Sequence, residues 1–311
     1  MAYECNSCGF TSVEWLGRCP KCGEWDSFDN SSADESSVSG KFVDEDPKPL
    51  SEISFDSKER IPSGISEFDR VLGGGLIPGS VTLLGGDPGI GKSTLLLQAA
   101  TNISREGKVL YISGEESSKQ LKMRAERLNL SSDELIIYSG QSLEQAISHV
   151  NDIEPVCIIV DSIQSLQSAD NSSSLGSTKQ VRQLGREFTR LAKKNDIATF
   201  LIGHITKSGD FSGPKTIEHL VDSTLYFEGK RDAGVRLLRP EKNRFGSTNL
   251  LGLFQMTEDG LKEILNPSQF FAKKNGHDDQ RGTATVCTIE GTRPILVDIQ
   301  ALVTPSNYGG S

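Results

Sequence analysis

A run of eight residues carries the spacing Gly-x4-Gly-Lys-Ser, the pattern of a loop that binds phosphate groups. The run consists of Gly86, Asp87, Pro88, Gly89, Ile90, Gly91, Lys92 and Ser93, and Thr94 follows it. Glycines let the backbone curl so that successive N–H groups point at one anion. The lysine reaches the β- and γ-phosphates of a nucleoside triphosphate, and the serine hydroxyl can ligate Mg²⁺. The run therefore predicts a site for a nucleoside triphosphate and Mg²⁺.

The segments on either side of this run are those that a phosphate loop requires. Residues 80–84 are short, apolar and β-prone, which predicts a buried strand. Residues 94–100 are strong helix formers and predict a helix that begins at Lys92 or Ser93. The start of that helix adds unpaired N–H groups and the positive end of its dipole. The alternative is a plain glycine-rich turn with an exposed lysine.

Three acidic residues follow predicted strands at the edge where ligands bind in parallel sheets. Asp161 ends the apolar strand 156–161, where a carboxylate can hold the hydration shell of Mg²⁺. A helix cap for the residues that follow is the alternative role of Asp161. Glu115 and Glu116 follow a second strand, and a carboxylate there can orient the attacking water. Glu115 is preferred because it comes first; the alternative is a solvated surface acid.

His204 follows the predicted strand 197–203 at the same edge. An imidazole there can sense the γ-phosphate by hydrogen bonding, so we include His204 among the candidate catalytic residues. A purely structural histidine is the alternative.

The order of predicted elements from residue 56 onward indicates an α/β fold. Apolar strands alternate with helices, which is typical of a mostly parallel sheet covered by helices on both faces. The strands are predicted at 80–84, 109–113, 135–138, 156–161 and 197–203, and the helices at 118–128, 143–150 and 178–195. A short helix capped by Ser66 precedes them, and a hairpin at 223–228 and 234–240 adds antiparallel strands at one edge.

Four cysteines near the N-terminus form two Cys-x-x-Cys-Gly pairs, with Cys5, Cys8, Cys19 and Cys22 as the thiols. Two such turns complete a tetrahedral, closed and therefore structural Zn²⁺ site. So small a module cannot bury a core of its own, and the metal must supply its folding energy. A redox pair or unrelated thiols are the alternatives. We assign residues 1–28 to a four-cysteine zinc ribbon. Cys157 and Cys287, which stand alone in apolar runs, are predicted to fill the core.

Composition bounds the remaining organisation. A chain of 311 residues holds about two domains. The net charge is −9, and residues 29–58 alone contain eight acids and three bases. Residues 29–55 are accordingly predicted to be a flexible acidic linker, and global charge does not exclude a nucleic-acid partner. The sequence has neither a bilayer-length apolar run nor the features of a signal peptide, which predicts a cytoplasmic protein without a membrane partner.

Several motifs together resemble the bacterial RadA (Sms) family of DNA-repair ATPases. They are Gly114-Glu115-Glu116-Ser117, Asp161-Ser162, Gly203-His204-Ile205-Thr206-Lys207 and Lys242-Asn243-Arg244-Phe245-Gly246. The resemblance implies a RecA-like ATPase domain over residues 56–266, assembled as a homo-hexameric ring. It implies single-stranded and branched DNA as ligands, branch migration as the activity, and a RecA-type recombinase and replication or repair proteins as partners.

The resemblance also implies that Lys242 and Arg244 reach the ATP of the neighbouring subunit. A cation that arrives from outside the site stabilises charge on the transferring phosphate and makes hydrolysis depend on assembly. From composition alone, the two residues also fit a solvated turn after the hairpin.

The sequence says least about which residues contact DNA. Arg182, Arg186 and Arg190 recur every four residues on one predicted helix face, with Lys193 and Lys194 nearby. The stripe can contact DNA phosphates, pair with acids across a subunit boundary, or lie in water. By resemblance, the loops 168–178 and 206–215 line a DNA channel, which makes Lys207 and Lys215 further candidates.

Residues 267–311 resemble a linker followed by the opening hairpin of a Lon-protease-like domain. The hairpin is predicted at 282–289 and 294–303. An isolated hairpin is marginally stable, so either the domain is incomplete or the hairpin packs on the ATPase core. No peptidase activity is expected from this segment.

The leading interpretation is therefore a DNA-dependent, helicase-like ATP hydrolase of recombinational repair. A nucleotide-switched zinc-ribbon scaffold, whose assembly depends on ATP and not on DNA, is the alternative from another class. An adaptor that binds a protein through its ribbon is a third.

Overall fold

The structure, a computed structural model, describes residues 3–5, 11–12, 17–23, 28–30, 47–52, 60–169, 174–203, 217–229, 234–274 and 283–301. The chain divides into two compact units, Met1–Pro47 and Lys48–Ser311. Among the helices of these described ranges, none combines the length and the apolar content that crossing a lipid bilayer demands.

The N-terminal unit contains a small antiparallel sheet of three strands in the order β2-β1-β3. The strands are β1 (Tyr3–Cys5), β2 (Thr11–Ser12) and β3 (Phe28–Asn30). Asp29 and Asn30 pair with β1, so the third strand runs two residues into the segment that the sequence assigns to the linker. Most of that segment lies outside the described residues.

The second unit is built on one sheet of nine strands in the order β12-β11-β10-β9-β4-β8-β7-β5-β6. The strands are β4 (Val81–Gly86), β5 (Val109–Ser113), β6 (Leu135–Ser139), β7 (Cys157–Asp161), β8 (Ala198–Ile202), β9 (Ser223–Glu228), β10 (Val235–Asn243), β11 (Gly252–Thr257) and β12 (Gly260–Glu263). The run from β9 to β6 is parallel. β10, β11 and β12 continue the sheet in antiparallel fashion. The predicted parallel sheet with an antiparallel edge is confirmed.

Helices cover both faces of this sheet, as the alternating sequence pattern predicts. They are α1 (Ser66–Leu72), α2 (Lys92–Ile103), α3 (Ser118–Arg127), α4 (Leu143–Ile153), α5 (Thr178–Asn195) and α6 (Pro267–Lys274). The helices α1, α2 and α3 contribute to one apolar layer, and α4 and α5 contribute to the other.

Central strands supply both layers because successive side chains in a strand point to opposite faces. In β4, Leu84 lies in the layer of α2, whereas Leu83 lies in the layer of α5. Every residue of β4, β5, β7 and β8 is buried, as expected for strands covered on both faces.

The start of α1 differs from the prediction. The helix begins at Ser66 itself, the N-cap is Ile65, and no side chain caps it, so the predicted capping role of Ser66 is wrong. The backbone N–H of Glu67 instead donates to Glu263 Oε1 at 2.7 Å. A carboxylate from a distant strand thus satisfies a free N–H group of the first turn, which local sequence does not reveal.

A separate hairpin follows α6, with β13 (Thr283–Glu290) paired to β14 (Arg293–Gln300). Ile295 is buried in a cluster with Leu251, Leu253 and Ile264, which lie in or beside β11 and β12. The hairpin therefore packs on the nine-stranded sheet. Cys157 is buried as predicted, but Cys287 is exposed, so its predicted place in the core is wrong. Cys287 lies on β13, whose residues from Ala284 to Ile289 are exposed on both faces of the hairpin.

Candidate active site

The phosphate loop joins β4 to α2 in the predicted strand-turn-helix arrangement. Gly86 has a φ of 144°, and a Cβ atom there would lie 2.4 Å from the carbonyl oxygen of Phe227. Gly91 has a φ of 120°, and a Cβ atom there would lie 2.7 Å from Met256 Cε. Neither position accommodates a side chain, which explains these glycines of the motif.

Lys92 is almost completely buried at the start of α2, with a side chain 3% exposed. Its ammonium donates to the carbonyl oxygens of Gly86 at 2.6 Å and Asp87 at 3.0 Å. Burial lowers the pKa of Lys92 to about 8, although the nearby carboxylates of Asp161, Asp87 and Glu115 favour the charged form. In this state the lysine is held over its own loop by carbonyl groups.

We expect the folded, nucleotide-free protein to become more stable as the pH rises above about 8, because burial of the charged Lys92 ammonium costs free energy that its deprotonation removes. The folded-state pKa is about 8 and the ordinary value is 10.5, so between these values the unfolded chain holds the extra proton. The gain should reach about 2 kcal/mol near pH 9.5. It should be missing in Lys92→Met, and urea unfolding of both proteins at about pH 7.5 and about pH 9.5 measures it. An equal pH response of the two proteins would contradict the assignment.

Asp161 lies at the end of β7, directly beside Ser113 of β5. Its side chain is 7% exposed, and Oδ2 accepts a hydrogen bond from Tyr111 Oη at 2.6 Å. Burial and the neighbouring Asp161 raise the pKa of Tyr111 well above its usual value, so the phenol remains a donor. Ser162, not Asp161, is the N-cap of the short 3-10 helix Ile163–Ser165. The structure thus does not place Asp161 as a helix cap.

Glu115 and Glu116 have different surroundings at the end of β5. Glu115 is exposed, and its Oε1 accepts a hydrogen bond from Ser162 Oγ at 2.5 Å. Glu116 is half-buried and forms an ion pair with Arg124 Nη2 at 2.5 Å. Burial raises the pKa of Glu116, and Arg124 opposes that rise. Because Glu116 is paired with Arg124, Glu115 is the better candidate to orient the attacking water molecule.

A cleft of about 490 Å³ brings the predicted residues together. The loop and helix start contribute Pro88, Gly89, Gly91, Lys92, Ser93 and Thr94, and Glu115 and Asp161 line the same space. Ile90 is buried beneath the loop, while Asp87 is exposed. A volume of this size suits a small-molecule ligand such as a nucleotide. Amide groups, an ammonium, a hydroxyl and carboxylates converge here, which is the donor set that Mg²⁺ and a triphosphate require.

Sequence reasoning missed several residues of this cleft, among them Arg124 and Arg236. Arg236 is 5% exposed on β10, and its Nε donates to the carbonyl oxygen of Ile90 at 3.1 Å. One signal was present: Arg236 occupies an inward position of an alternating strand, where an arginine needs a buried acceptor. Arg124 and Tyr111 gave no such signal.

Lys242 and Arg244 lie at the opposite end of the strands from the phosphate loop of the same chain. Asn243 pairs with Ser223, which is in register with Thr82 at the start of β4, whereas Gly86 ends that strand. Four residues of strand correspond to about 13 Å. The two residues are therefore not part of their own subunit's cleft.

Both side chains are held by the chain segment before β9. Lys242 Nζ donates to the carbonyl oxygens of Glu218 at 2.9 Å and Val221 at 2.6 Å. Burial and the nearby Arg244 lower the pKa of Lys242. Arg244 Nη1 lies 3.1 Å from Asp222 Oδ1 and remains 53% exposed. An exposed guanidinium anchored at one nitrogen can reach another molecule.

The DNA candidates are only partly described. His204, Lys207 and Lys215 lie outside the described residues. Arg182 and Arg186 are exposed on α5, as are Lys193 and Lys194, whereas Arg190 is half-buried and bonded to Glu187 at 2.8 Å. The stripe therefore includes one arginine that is paired within its own helix.

The second Cys-x-x-Cys pair forms the tight turn expected of a zinc ligand pair. The backbone N–H of Gly23 donates to the carbonyl oxygen of Cys19 at 2.8 Å, and Gly23 has a φ of 79°. Cys19 is buried and Cys22 is exposed. Cys5 ends β1, and Cys8 lies outside the described residues. The turn and its thiols suit Zn²⁺.

Two families match the chain. The family described as an AAA domain matches residues 47–210, and the family described as a rubredoxin metal binding domain matches residues 3–30.

The chain is also similar to curated proteins named DNA repair protein RadA. It is 46% identical to the protein of Streptococcus pyogenes serotype M1 over 311 residues, which covers 99% of this chain and 68% of that protein. It is 44% identical to the protein of Bacillus subtilis (strain 168), with 98% and 68% covered, respectively.

Solved structures share the fold of the second unit. The ATPase domain of G40P has a TM-score of 0.56 at 17% identity, with 66% of this chain and 91% of that chain covered. The RadB recombinase has a TM-score of 0.50 at 23% identity, with 66% and 99% covered. A DnaB-like replicative helicase has a TM-score of 0.57 at 17% identity, with 66% and 62% covered.

Proposed function

Because the chain belongs to the RadA family of DNA-repair proteins, we propose that it is a DNA-dependent motor that promotes branch migration of recombination intermediates. The family and the RecA-like fold make it an ATP hydrolase of DNA repair and recombination. The ATP hydrolysis in this proposal rests mainly on one observation, that Lys92, Asp161 and Glu115 line one cleft at the carboxyl ends of the strands. The action on DNA rests on the family.

The residues of the cleft have separate roles in the proposed mechanism. Lys92 leaves the carbonyls of its own loop and donates to the β- and γ-phosphates. Ser93 and Asp161 would hold Mg²⁺, which neutralises charge on the phosphate oxygens when bound. Tyr111 fixes one carboxylate oxygen of Asp161 and so sets the direction of the other. Glu115, held by Ser162, orients the attacking water.

We assign the catalysis in trans to Lys242 and Arg244. Their position away from their own cleft and the exposure of Arg244 support a contact with the next subunit's ATP. That contact needs a closed assembly, for which we propose a homo-hexameric ring. His204 remains a candidate sensor of the γ-phosphate in this scheme.

The proposed ligands and partners follow from the same family. Single-stranded and branched DNA would occupy the ring, and a RecA-type recombinase and replication or repair proteins would act beside it in the cytoplasm. Cys5, Cys8, Cys19 and Cys22 would hold Zn²⁺ as a structural ion, consistent with the family match over residues 3–30.

Steady-state ATP turnover with and without single-stranded DNA tests the proposal. We expect turnover per subunit to rise with protein concentration, because each site needs its neighbour, and to rise further with DNA. A labelled branched DNA should be converted to products only when ATP is hydrolysed. Slow turnover that does not respond to DNA would favour the nucleotide-switched scaffold instead.

The role of Glu115 gives a separate prediction. Glu115→Gln should lower turnover by about a hundredfold or more, since general-base assistance is worth roughly 10²–10⁴ in rate. Binding of a fluorescent ATP analogue should persist, because the phosphate loop is unchanged. Glu116→Gln is the matched control and should retain more turnover, as Glu116 is paired with Arg124. The reverse order of the two variants would transfer the role to Glu116.

A further inference from the structure

A buried ion pair joins the C-terminal hairpin to helix α1. Arg293 Nη1 lies 2.5 Å from Glu67 Oε2, and Arg293 Nη2 donates to Glu67 Oε1 at 2.8 Å. Glu67 is 3% exposed and Arg293 is 8% exposed. Such a bidentate contact fixes both the distance and the orientation of the two side chains.

The remaining bonding capacity of the pair is used by the backbone around it. Glu67 Oε2 also accepts from the N–H of Leu253 at 2.9 Å, and Arg293 Nη2 donates to the carbonyl oxygen of Leu265 at 3.0 Å. Arg70 lies on the same face of α1 and donates to Thr292 Oγ1 at 3.3 Å. The tip of the hairpin, residues 291–293, is therefore anchored to α1 by two side chains.

The C-terminal end of α1 contacts the turn that contains Arg244. Asn243 Nδ2 donates to the carbonyl oxygen of Val71 at 3.2 Å. Arg60, which precedes α1, donates from Nη2 to the carbonyl oxygen of Phe245 at 3.1 Å. A helix of this length, seven residues, spans about 10 Å. The hairpin tip and the turn 243–246 thus both contact this one short helix.

We propose that Glu67 and Arg293 are positioning residues for ATP hydrolysis. Their ion pair fixes α1 against the hairpin tip and the turn 243–246, and so sets the direction in which Arg244 leaves the subunit. The inference rests on the proposed function, in which Arg244 acts on the neighbour's ATP.

The physical reason is that the rate of catalysis falls steeply when a catalytic group is displaced. A misplacement of about 1 Å at a distance from the chemistry can cost about a hundredfold in rate. Loss of one partner of a buried pair leaves an uncompensated charge, which moves the elements around it. Here the elements that would move are α1 and the turn that it supports.

The experiment compares Arg293→Met and Arg293→Lys in the full chain, alone and combined with Arg244→Ala. We expect Arg293→Met to lower kcat about 10- to 100-fold, while the affinity for a fluorescent ATP analogue changes less than twofold. Arg293→Lys keeps the charge but loses the bidentate contact, so it should rescue only part of kcat. In the Arg244→Ala background, Arg293→Met should cause no further loss.

The outcomes separate this inference from the proposed function. If Arg244→Ala leaves kcat unchanged, the action of Arg244 in trans fails and this inference fails with it, whereas the proposed function fails only if turnover does not respond to DNA. If Arg244→Ala lowers kcat but the two changes multiply, or Arg293→Met weakens ATP binding equally, the pair is merely structural and the inference is overturned. Should Arg293→Met not fold, Arg293→Lys decides in the same two backgrounds, with the melting temperature as control.

Discussion

Lys92→Ala is expected to lower ATP turnover by at least about a hundredfold, and to weaken ATP binding as well, because it removes the cation of the phosphate loop. The side chain is buried at the start of α2 and has the loop's carbonyls as its partners until phosphates replace them. Steady-state phosphate release and titration with a fluorescent ATP analogue measure the two effects.

Lys122→Ala is the matched control for this variant. Lys122 is exposed on α3 and forms a solvated pair with Glu126 at 3.5 Å, so its loss should leave turnover unchanged. Full turnover in Lys92→Ala would mean that the cleft at residues 86–93 is not where ATP is hydrolysed.

Arg244→Ala is expected to lower turnover by about a thousandfold, the lower end of the range for an arginine supplied to a phosphoryl-transfer site from outside. ATP binding should remain, since Arg244 lies at the opposite end of the strands from the phosphate loop of its own chain. Phosphate release and nucleotide titration again measure the two quantities separately.

Mixing two inactive variants shows whether Arg244 acts in trans. Lys92→Ala subunits lack a working loop but still supply Arg244, and Arg244→Ala subunits have the reverse defect. In rings of equal and random composition, about a quarter of the interfaces join an intact loop to an intact arginine. Turnover should therefore recover to about a quarter of the unmodified protein. No recovery, with assembly confirmed by light scattering, would place the arginine's action within its own subunit.

Local sequence was sufficient to place residues 86–93 between a strand and a helix, and Asp161 at the end of a strand. A strand, a glycine turn and a helix are encoded within about twenty residues, and an acid at the end of an apolar strand is equally local. The sheet class also followed from alternation of elements. These features depend on periodicity and on neighbours along the chain.

The residues that support the site depend instead on strand register. Tyr111 and Asp161 are 50 residues apart in the sequence. Tyr111 bonds to Asp161 because β5 and β7 are neighbouring strands whose register places Ser113 beside Asp161. Arg236 reaches Ile90 across 146 residues, and Arg293 reaches Glu67 across 226. The cap of α1 was missed for the same reason, since Glu263 supplies it from β12.

Strand β10 has a mechanical consequence for a ring of such subunits. Arg236 near one end donates to the phosphate loop, and Lys242, which we propose acts on the next subunit's ATP, lies near the other end. About 20 Å of extended chain separates them, with one bulge between Pro240 and Lys242 as its only break in register. An extended strand of this kind transmits a displacement from one of its ends to the other. Binding of ATP in one subunit would then move Lys242, which acts on the ATP of the next subunit. The order of hydrolysis around the ring would thus be set within each subunit.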